Sequence, residues 1–149
     1  MFASAHNVSS NTMHLELANT VELRAFARDF AAGLRPGAVV ALRGPLGAGK
    51  TTLVRAIVEA LHGSDAAVSS PTFIFHQRYD GTPPIEHLDL YRIEDPAELA
   101  ELGLEDAFGP DSIALVEWPE RAPQLVPPGA IGLEIVGSGN GPRRVTVTR

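Results

Sequence analysis

A glycine-rich segment carries the clearest chemical signal in the chain. Gly44–Thr51 reads Gly-Pro-Leu-Gly-Ala-Gly-Lys-Thr and matches the phosphate-binding pattern Gly-x-x-x-x-Gly-Lys-Ser/Thr at every specified position. Glycines let the backbone come close to phosphate oxygens, and successive amides at a helix N-terminus then point at the negative charge. The loop positions expected to contact phosphates are Gly44, Leu46, Gly47, Ala48 and Gly49.

Three polar side chains follow the last glycine of this loop. Lys50 is the only lysine among 12 basic residues. It is expected to neutralise the outer phosphates as a mobile point charge, a task that the planar fork of arginine suits less well. Thr51 is expected to place its hydroxyl on Mg²⁺, and Thr52 to touch an inner phosphate. The segment therefore predicts a nucleotide site with Mg²⁺, in which Lys50 also acts in catalysis.

A site of this kind needs an acid on the metal side, at the end of a neighbouring strand. The four apolar residues 113–116 precede Glu117 and predict a buried strand that ends in a carboxylate. Glu117 is therefore the candidate to hold Mg²⁺, directly or through water. A strand-end glutamate that faces solvent is the plain alternative, and Asp111 is a weaker candidate because it precedes the strand.

A second strand is predicted over Ile85–Tyr91. Its alternation puts His87, Asp89 and Tyr91 on one face and Leu88 and Leu90 on the other. An aspartate among bulky residues is costly unless it is paired or used. Asp89 therefore has either a structural or a catalytic role.

Asp89 is the candidate to orient or deprotonate a water near the γ-phosphate. An ion pair with Arg92 or Arg78 is the structural alternative, and His87 is expected to be a packed, hydrogen-bonded histidine. The segment Ser69–Phe73 is expected to bring the hydroxyl of Ser70 or Thr72 to the nucleotide, or else to form an ordinary turn before a strand.

Helices and strands alternate around these residues. Asn19 or Thr20 is expected to cap a helix that ends at 35–37, and a second helix follows the glycine loop and ends at Gly63. Strands are predicted at 38–43, 73–79, 85–91 and 113–117, helices at 95–103 and 104–108, and a terminal hairpin at 131–136 and 143–148. We therefore expect a single-domain α/β, P-loop NTPase-like fold. Its central sheet should be mainly parallel with antiparallel additions, with helices packed on its faces.

Composition excludes several other classes. The chain has 149 residues, a net charge of −6 and no cysteine, which excludes disulfides and cysteine-based metal sites. Its longest apolar run has five residues, 38–42, far below the roughly 20 that a membrane helix needs. Residues 1–12 are expected to be a flexible tail, residues 13–149 a single nucleotide-binding domain, and the protein a cytoplasmic one that does not bind membranes.

The order of these motifs resembles the TsaE (YjeE) family. The matching segments are LRGPLGAGKTTLVR (42–55), SSPTF (69–73), HLDLYR (87–92), the DPAEL–LGLED run (95–106) and ALVEWPER (114–121). The resemblance implies a compact ATP-binding fold with Mg²⁺ on Thr51 and Glu117, and a role for Asp89 in hydrolysis. It also implies contacts with the nucleotide from Asn19–Thr20, with Thr20 as the candidate, and from the terminal hairpin, where Arg143 and Arg144 both match. Pro45 departs from the family, many of whose members carry Asp there.

The resemblance further implies protein partners, TsaB and TsaD. In this family TsaD transfers the threonylcarbamoyl group to the adenosine next to the anticodon of ANN-decoding tRNAs, and the TsaE-like protein is an accessory ATPase. The acidic net charge agrees with a protein that reaches tRNA only through such a complex. The alternatives are a small-molecule P-loop kinase and a nucleotide-dependent adaptor that does not hydrolyse.

Overall fold

The structure is a computed structural model, and it describes residues 6–9, 12–63, 76–137, 139 and 141–149. Its strands are β1 His6–Ser9, β2 Thr12–Leu17, β3 Val39–Arg43, β4 His76–Tyr79, β5 Ile85–Asp89, β6 Ile113–Glu117, β7 Ile131–Val136 and β8 Arg143–Thr148. Its α-helices are α1 Thr20–Ala32, α2 Lys50–His62 and α3 Glu98–Leu102, and short 3-10 helices cover Leu104–Phe108, Pro119–Arg121 and Pro123–Leu125. None of the described helices is long and apolar enough to cross a membrane.

The eight strands form one mixed sheet in the order β1-β2-β8-β7-β3-β6-β5-β4. The four central strands β7, β3, β6 and β5 are parallel to one another, and the outer strands pair antiparallel. The predicted fold class is therefore confirmed. Because parallel strands end at the same edge, the ends of β3, β5, β6 and β7 all reach one side of the molecule.

Helices cover both faces of the sheet. On one face, α1 and α2 pack over apolar side chains of the strands, among them Leu42, Leu115 and Leu133. On the other face, α3 and the 3-10 helices cover Leu88, Val116 and their neighbours. Within β5 the predicted alternation is confirmed, because Ile85 packs toward α1 and α2 whereas Leu88 packs on the opposite face.

Helix α1 begins at a hydrogen-bonded cap. Asn19 accepts the backbone N–H of Glu22 through its side-chain oxygen at 3.0 Å, and the Glu22 carboxylate accepts the N–H of Ala18 at 2.6 Å. The first bond satisfies an amide that the first turn leaves without a helical partner, and the second fixes the residue before the cap. Of the two residues expected to cap this helix, the structure therefore selects Asn19, and Thr20 becomes the first helical residue.

Three segments differ from the sequence predictions. Residues 1–12 were assigned to a flexible tail, whereas His6–Ser9 is a strand and Thr12 begins β2, which pairs with β8. The strand predicted to reach Tyr91 ends at Asp89, because the Asp89 carboxylate accepts the Tyr91 N–H at 3.0 Å and turns the chain. The helix predicted from Asp95 begins at Glu98, after a turn in which Asp95 accepts the N–H groups of Ala97 and Glu98.

The layer between α2 and the sheet gives a stability prediction. Ile57 is fully buried in this layer, so Ile57→Ala should lower the free energy of unfolding by about 2–5 kcal/mol through lost burial and a residual cavity. Val21 on α1 is 74% exposed, and Val21→Ala is the matched control, with a change within about 0.5 kcal/mol. Urea unfolding of both variants measures this difference, and equal changes would contradict the packing described here.

Candidate nucleotide-binding site

A cavity of about 510 Å³ lies where the parallel strands end. Most of the residues predicted for the site line it, namely Leu46, Gly47, Gly49, Lys50, Thr51, Thr52, Asp89, Glu117 and Arg143. Tyr91, Trp118 and Gly139 complete the lining and were not among the predicted contacts. The cavity thus joins segments as far apart in the chain as Leu46 and Arg143.

The glycine loop turns sharply between β3 and α2. Gly44 has a φ of +154°, and a side chain there would clash with the carbonyl oxygen of Ile135 on β7. Gly49 has a φ of +104° in the left-handed region and forms the N-cap of α2. Only glycine adopts both conformations without strain. Gly44 and Ala48 were expected to contact phosphates, but neither lines the cavity. Gly44 instead allows the close approach to β7, and Ala48 is fully buried beneath the loop.

Lys50 is held at the first turn of α2. Its ammonium donates hydrogen bonds to the carbonyl oxygens of Gly44 and of Pro45, the latter at 3.0 Å, and lies 4.1 Å from the centroid of the Trp118 ring. Burial lowers the pKa of Lys50, and the negative charges of Glu117, Glu120 and Asp89 oppose this shift. The cation therefore sits in a partly desolvated site that acidic groups surround.

Glu117 ends β6 and lies beside the glycine loop. Its carboxylate oxygens accept the Thr51 hydroxyl at 3.2 and 3.4 Å, and one of them contacts Nε2 of His87 at 2.6 Å. A hydroxyl and a carboxylate are hard oxygen donors, which suits Mg²⁺. No group of three His, Cys, Asp or Glu side chains fit to hold a metal occurs in the described part of the chain. Thr51 and Glu117 could supply protein ligands to a Mg²⁺ ion, which usually binds few protein groups and keeps waters or phosphates at its other positions.

The other acid considered for the metal lies elsewhere. Asp111 is exposed and precedes β6, so it stands at the end of the strand opposite to Glu117.

Asp89 ends β5, directly opposite Glu117 in the register of the two strands. Burial raises the pKa of Asp89, and the charge of Glu117 acts in the same direction, whereas the Tyr91 N–H, His87 and Lys50 lower it. Arg78, one of the ion-pair partners considered for Asp89, contacts Glu86 at 2.5 Å and Asp80 at 3.1 Å instead.

Aromatic side chains form one wall of the cavity. Trp118 has a φ of +57°, which is rare for a residue other than glycine, and its ring lies 4.8 Å from that of Tyr91. The guanidinium of Arg121 lies 5.3 Å from the Tyr91 ring. The sequence signal for this wall is the position of Tyr91, two residues after Asp89.

The terminal hairpin distinguishes Arg143 from Arg144, both of which are candidates to contact the nucleotide. Arg143 lines the cavity, and it donates to the carbonyl oxygens of Ala48 at 2.7 Å, of Gly141 at 2.8 Å and of Gly139. Arg144 points to the other face of the sheet, where it pairs with Glu16 at 3.3 Å. The structure therefore places Arg143 at the candidate site and Arg144 away from it.

Thr20 lines a smaller cavity of about 170 Å³ beside the main one. Thr52 lines both cavities, so the N-terminus of α1 adjoins the candidate nucleotide site. The segment Ser69–Phe73, with Ser70 and Thr72, lies outside the described residues.

Comparisons with known proteins agree with this arrangement. The family model described as threonylcarbamoyl adenosine biosynthesis protein TsaE matches residues 17–145. The crystal structure of Bacillus subtilis YdiB superposes with a TM-score of 0.74 at 31% identity, covering 96% of this chain and 87% of that chain.

Curated relatives carry the same family name. The tRNA threonylcarbamoyladenosine biosynthesis protein TsaE of Bacillus subtilis is 39% identical over 131 residues, which cover 87% of this chain and 81% of that protein. The protein of that name from Rickettsia bellii is 44% identical over 108 residues, covering 71% and 74%. The one from Streptomyces coelicolor is 39% identical over 134 residues, covering 85% and 89%.

The raised pKa of Asp89 gives a prediction on stability. A carboxyl group that binds its proton more tightly in the folded state makes that state lose stability as the pH rises from the ordinary pKa of 3.8 through the raised one. We expect Asp89→Asn to remove this loss, because its amide oxygen still accepts the Tyr91 N–H. Urea unfolding at neutral pH should show a larger free energy of unfolding than wild type, and the advantage should vanish below pH 3.8. An advantage that persists in acid would contradict the assignment to charge burial.

Proposed function

The chain belongs to the TsaE family of threonylcarbamoyl adenosine biosynthesis proteins, and we propose that it is a magnesium-dependent ATPase that acts in threonylcarbamoylation of ANN-decoding tRNAs. The observation that carries this proposal is the meeting of Lys50, Thr51, Asp89 and Glu117 in one cavity. A lysine on a glycine loop, a hydroxyl beside a carboxylate and a second buried acid are the groups that phosphoryl transfer from a nucleotide requires.

Each group has a distinct task in this proposal. The loop amides and Lys50 bind the phosphates of ATP, while Thr51 and Glu117 hold Mg²⁺. When bound, Mg²⁺ neutralises charge that develops on the phosphate oxygens. Asp89 holds the attacking water and takes its proton, which the raised pKa of its carboxyl favours.

The arginine content of the described cavity bears on the rate of hydrolysis. Arg143 is the one arginine that lines the cavity among the described residues, and it donates to backbone carbonyl oxygens of the loop and the hairpin. An arginine that stabilises the transferring phosphoryl group contributes about 10³–10⁵ in rate in related enzymes. We therefore propose that hydrolysis is slow in the isolated protein and that protein partners complete the site.

The partners proposed are TsaB and TsaD, with TsaD as the transferase and this protein as the accessory ATPase. The net charge of −6 disfavours direct binding of tRNA, since phosphate contacts need a basic surface. Contact with tRNA would accordingly be made through the complex.

Substitutions of Lys50 test the ATP site. The Lys50 ammonium fits between two carbonyl oxygens and the Trp118 ring, a space that a planar guanidinium does not match. We expect Lys50→Ala to lower ATP hydrolysis by about 10²–10³, the usual effect of losing one charge-stabilising donor, and Lys50→Arg not to restore it. The assay is steady-state phosphate release together with calorimetric ATP binding. Arg144→Ala removes one positive charge away from the cavity and should leave both quantities unchanged. An arginine variant with full activity would contradict the geometric argument.

Reconstitution tests the role of the partners. Phosphate release at fixed Mg-ATP should increase at least about tenfold on addition of TsaB and TsaD from the same source, because the partners exclude water and supply missing charge. Formation of modified tRNA in the same mixtures should require this protein. Equal rates with and without the partners would contradict the proposed activation by TsaB and TsaD. They would not contradict the proposal that this protein binds ATP. Asp89→Ala that binds ATP and still supports many rounds of tRNA modification would favour a non-hydrolysing adaptor.

A further inference from the structure

One buried side chain at the site has a polar contact that the proposed chemistry does not use. His87 on β5 is completely buried, and its Nε2 atom lies 2.6 Å from a carboxylate oxygen of Glu117. The strand register pairs His87 with Leu115 and Asp89 with Glu117, so the ring reaches forward along the sheet to meet Glu117. Glu117 is thus the diagonal neighbour of His87 on the same face of the two strands.

The carboxylate partner determines which ring nitrogen of His87 donates. An ionised carboxylate only accepts hydrogen bonds, so Nε2 must carry the proton that it shares with Glu117. Nδ1 is buried and has no hydrogen-bond partner among the described residues. The hydrogen bond between the two side chains is therefore donated by the Nε2–H of His87 and accepted by Glu117.

Further contacts hold this ring and the carboxylate in place. The ring of Tyr79 on β4 stacks on His87 with centroids 6.4 Å apart and planes 26° apart. The Thr51 hydroxyl approaches the Glu117 carboxylate from α2, at 3.2 Å from one oxygen and 3.4 Å from the other. His87 thus contacts one oxygen of the carboxylate from β5, and the Thr51 hydroxyl lies slightly nearer to the other oxygen.

We propose that His87 is a positioning residue for Mg²⁺, which fixes the Glu117 carboxylate in the orientation that binds the metal beside Thr51. This inference rests on the proposed function, because it assumes that Glu117 and Thr51 hold Mg²⁺ with a nucleotide. A buried histidine needs a partner for its N–H group, and the partner here is the carboxylate proposed to bind the metal. Outer groups that orient a metal ligand typically contribute about tenfold to a hundredfold to metal affinity.

A matched pair of amide variants separates positioning from packing. Glutamine can place its amide nitrogen near the position of Nε2, whereas asparagine places it near Nδ1, on the side away from Glu117. Phenylalanine retains a ring without any donor. His87→Gln, His87→Asn and His87→Phe therefore differ in whether a hydrogen-bond donor reaches Glu117. His14→Phe is the control, since His14 bonds Thr146 away from the site.

The readout is the Mg²⁺ concentration at the midpoint of the fluorescence change of Trp118, the only tryptophan, in the presence of saturating ADP. We expect His87→Asn and His87→Phe to raise the midpoint about tenfold to a hundredfold, and His87→Gln and His14→Phe to remain within about threefold. ADP affinity measured in EDTA should be equal in all five proteins, because the metal is then absent. Midpoints that stay at the wild-type value, or that shift equally in the glutamine and phenylalanine variants, would overturn the proposal.

The unsubstituted protein offers a second measurement that does not depend on folded variants. Histidine ¹⁵N spectra should show a proton on Nε2 of His87, and this resonance should move when Mg²⁺ is added to the ADP complex but not when ADP is added in EDTA. A ring without a proton on Nε2, or a resonance that Mg²⁺ leaves unmoved, rejects the role. If wild type shows no Mg²⁺-dependent binding of ADP, the proposed function fails as well. If wild type binds and the variants match it, only the role of His87 fails.

Discussion

The Glu117 carboxylate is a buried charge, and its need for partners ties together the elements of the site. A carboxylate in the interior is stable only when donors reach its oxygens. The Thr51 hydroxyl from α2 and the His87 ring from β5 supply these donors. Glu117 itself ends β6, so one side chain links the helix after the phosphate loop to two central strands. The sheet order that places β6 between β3 and β5 makes both contacts possible at once.

The same edge of the sheet carries strain that serves binding rather than stability. Burial lowers the pKa of Lys50 and raises that of Asp89, because desolvation destabilises the charged form of each group. Trp118 adopts a left-handed backbone conformation that is unfavourable for a tryptophan. Desolvation of this kind strengthens the electrostatic interactions that such groups make with a bound ligand. A protein without the desolvated charges and the left-handed backbone of Trp118 would be more stable, but its site would be less preorganised.

The sequence predicted the components of the site better than their contacts. The phosphate loop, the strand that ends in Glu117 and the face that carries Asp89 all follow from local patterns of glycine and apolar residues. The contact between His87 and Glu117 depends on the register of two strands that are separated in the chain, which no local pattern encodes. Neighbouring arginines alternate between faces of a strand, but which of Arg143 and Arg144 faces the cavity depends on the pairing of β8 with β7 and β2.

The antiparallel part of the sheet also contributes to the phosphate loop, although it adds no group to the proposed chemistry. β8 pairs between β2 and β7, which fixes its first residue, Arg143, beside the loop. The Arg143 guanidinium then joins the Ala48 carbonyl to the turn of the terminal hairpin. Gly49 and Gly137 lie against this side chain, and a side chain at Gly137 would clash with it. The terminal hairpin therefore holds the phosphate loop in place through Arg143. This contact explains why a site at the ends of four parallel strands also includes the antiparallel part of the same sheet.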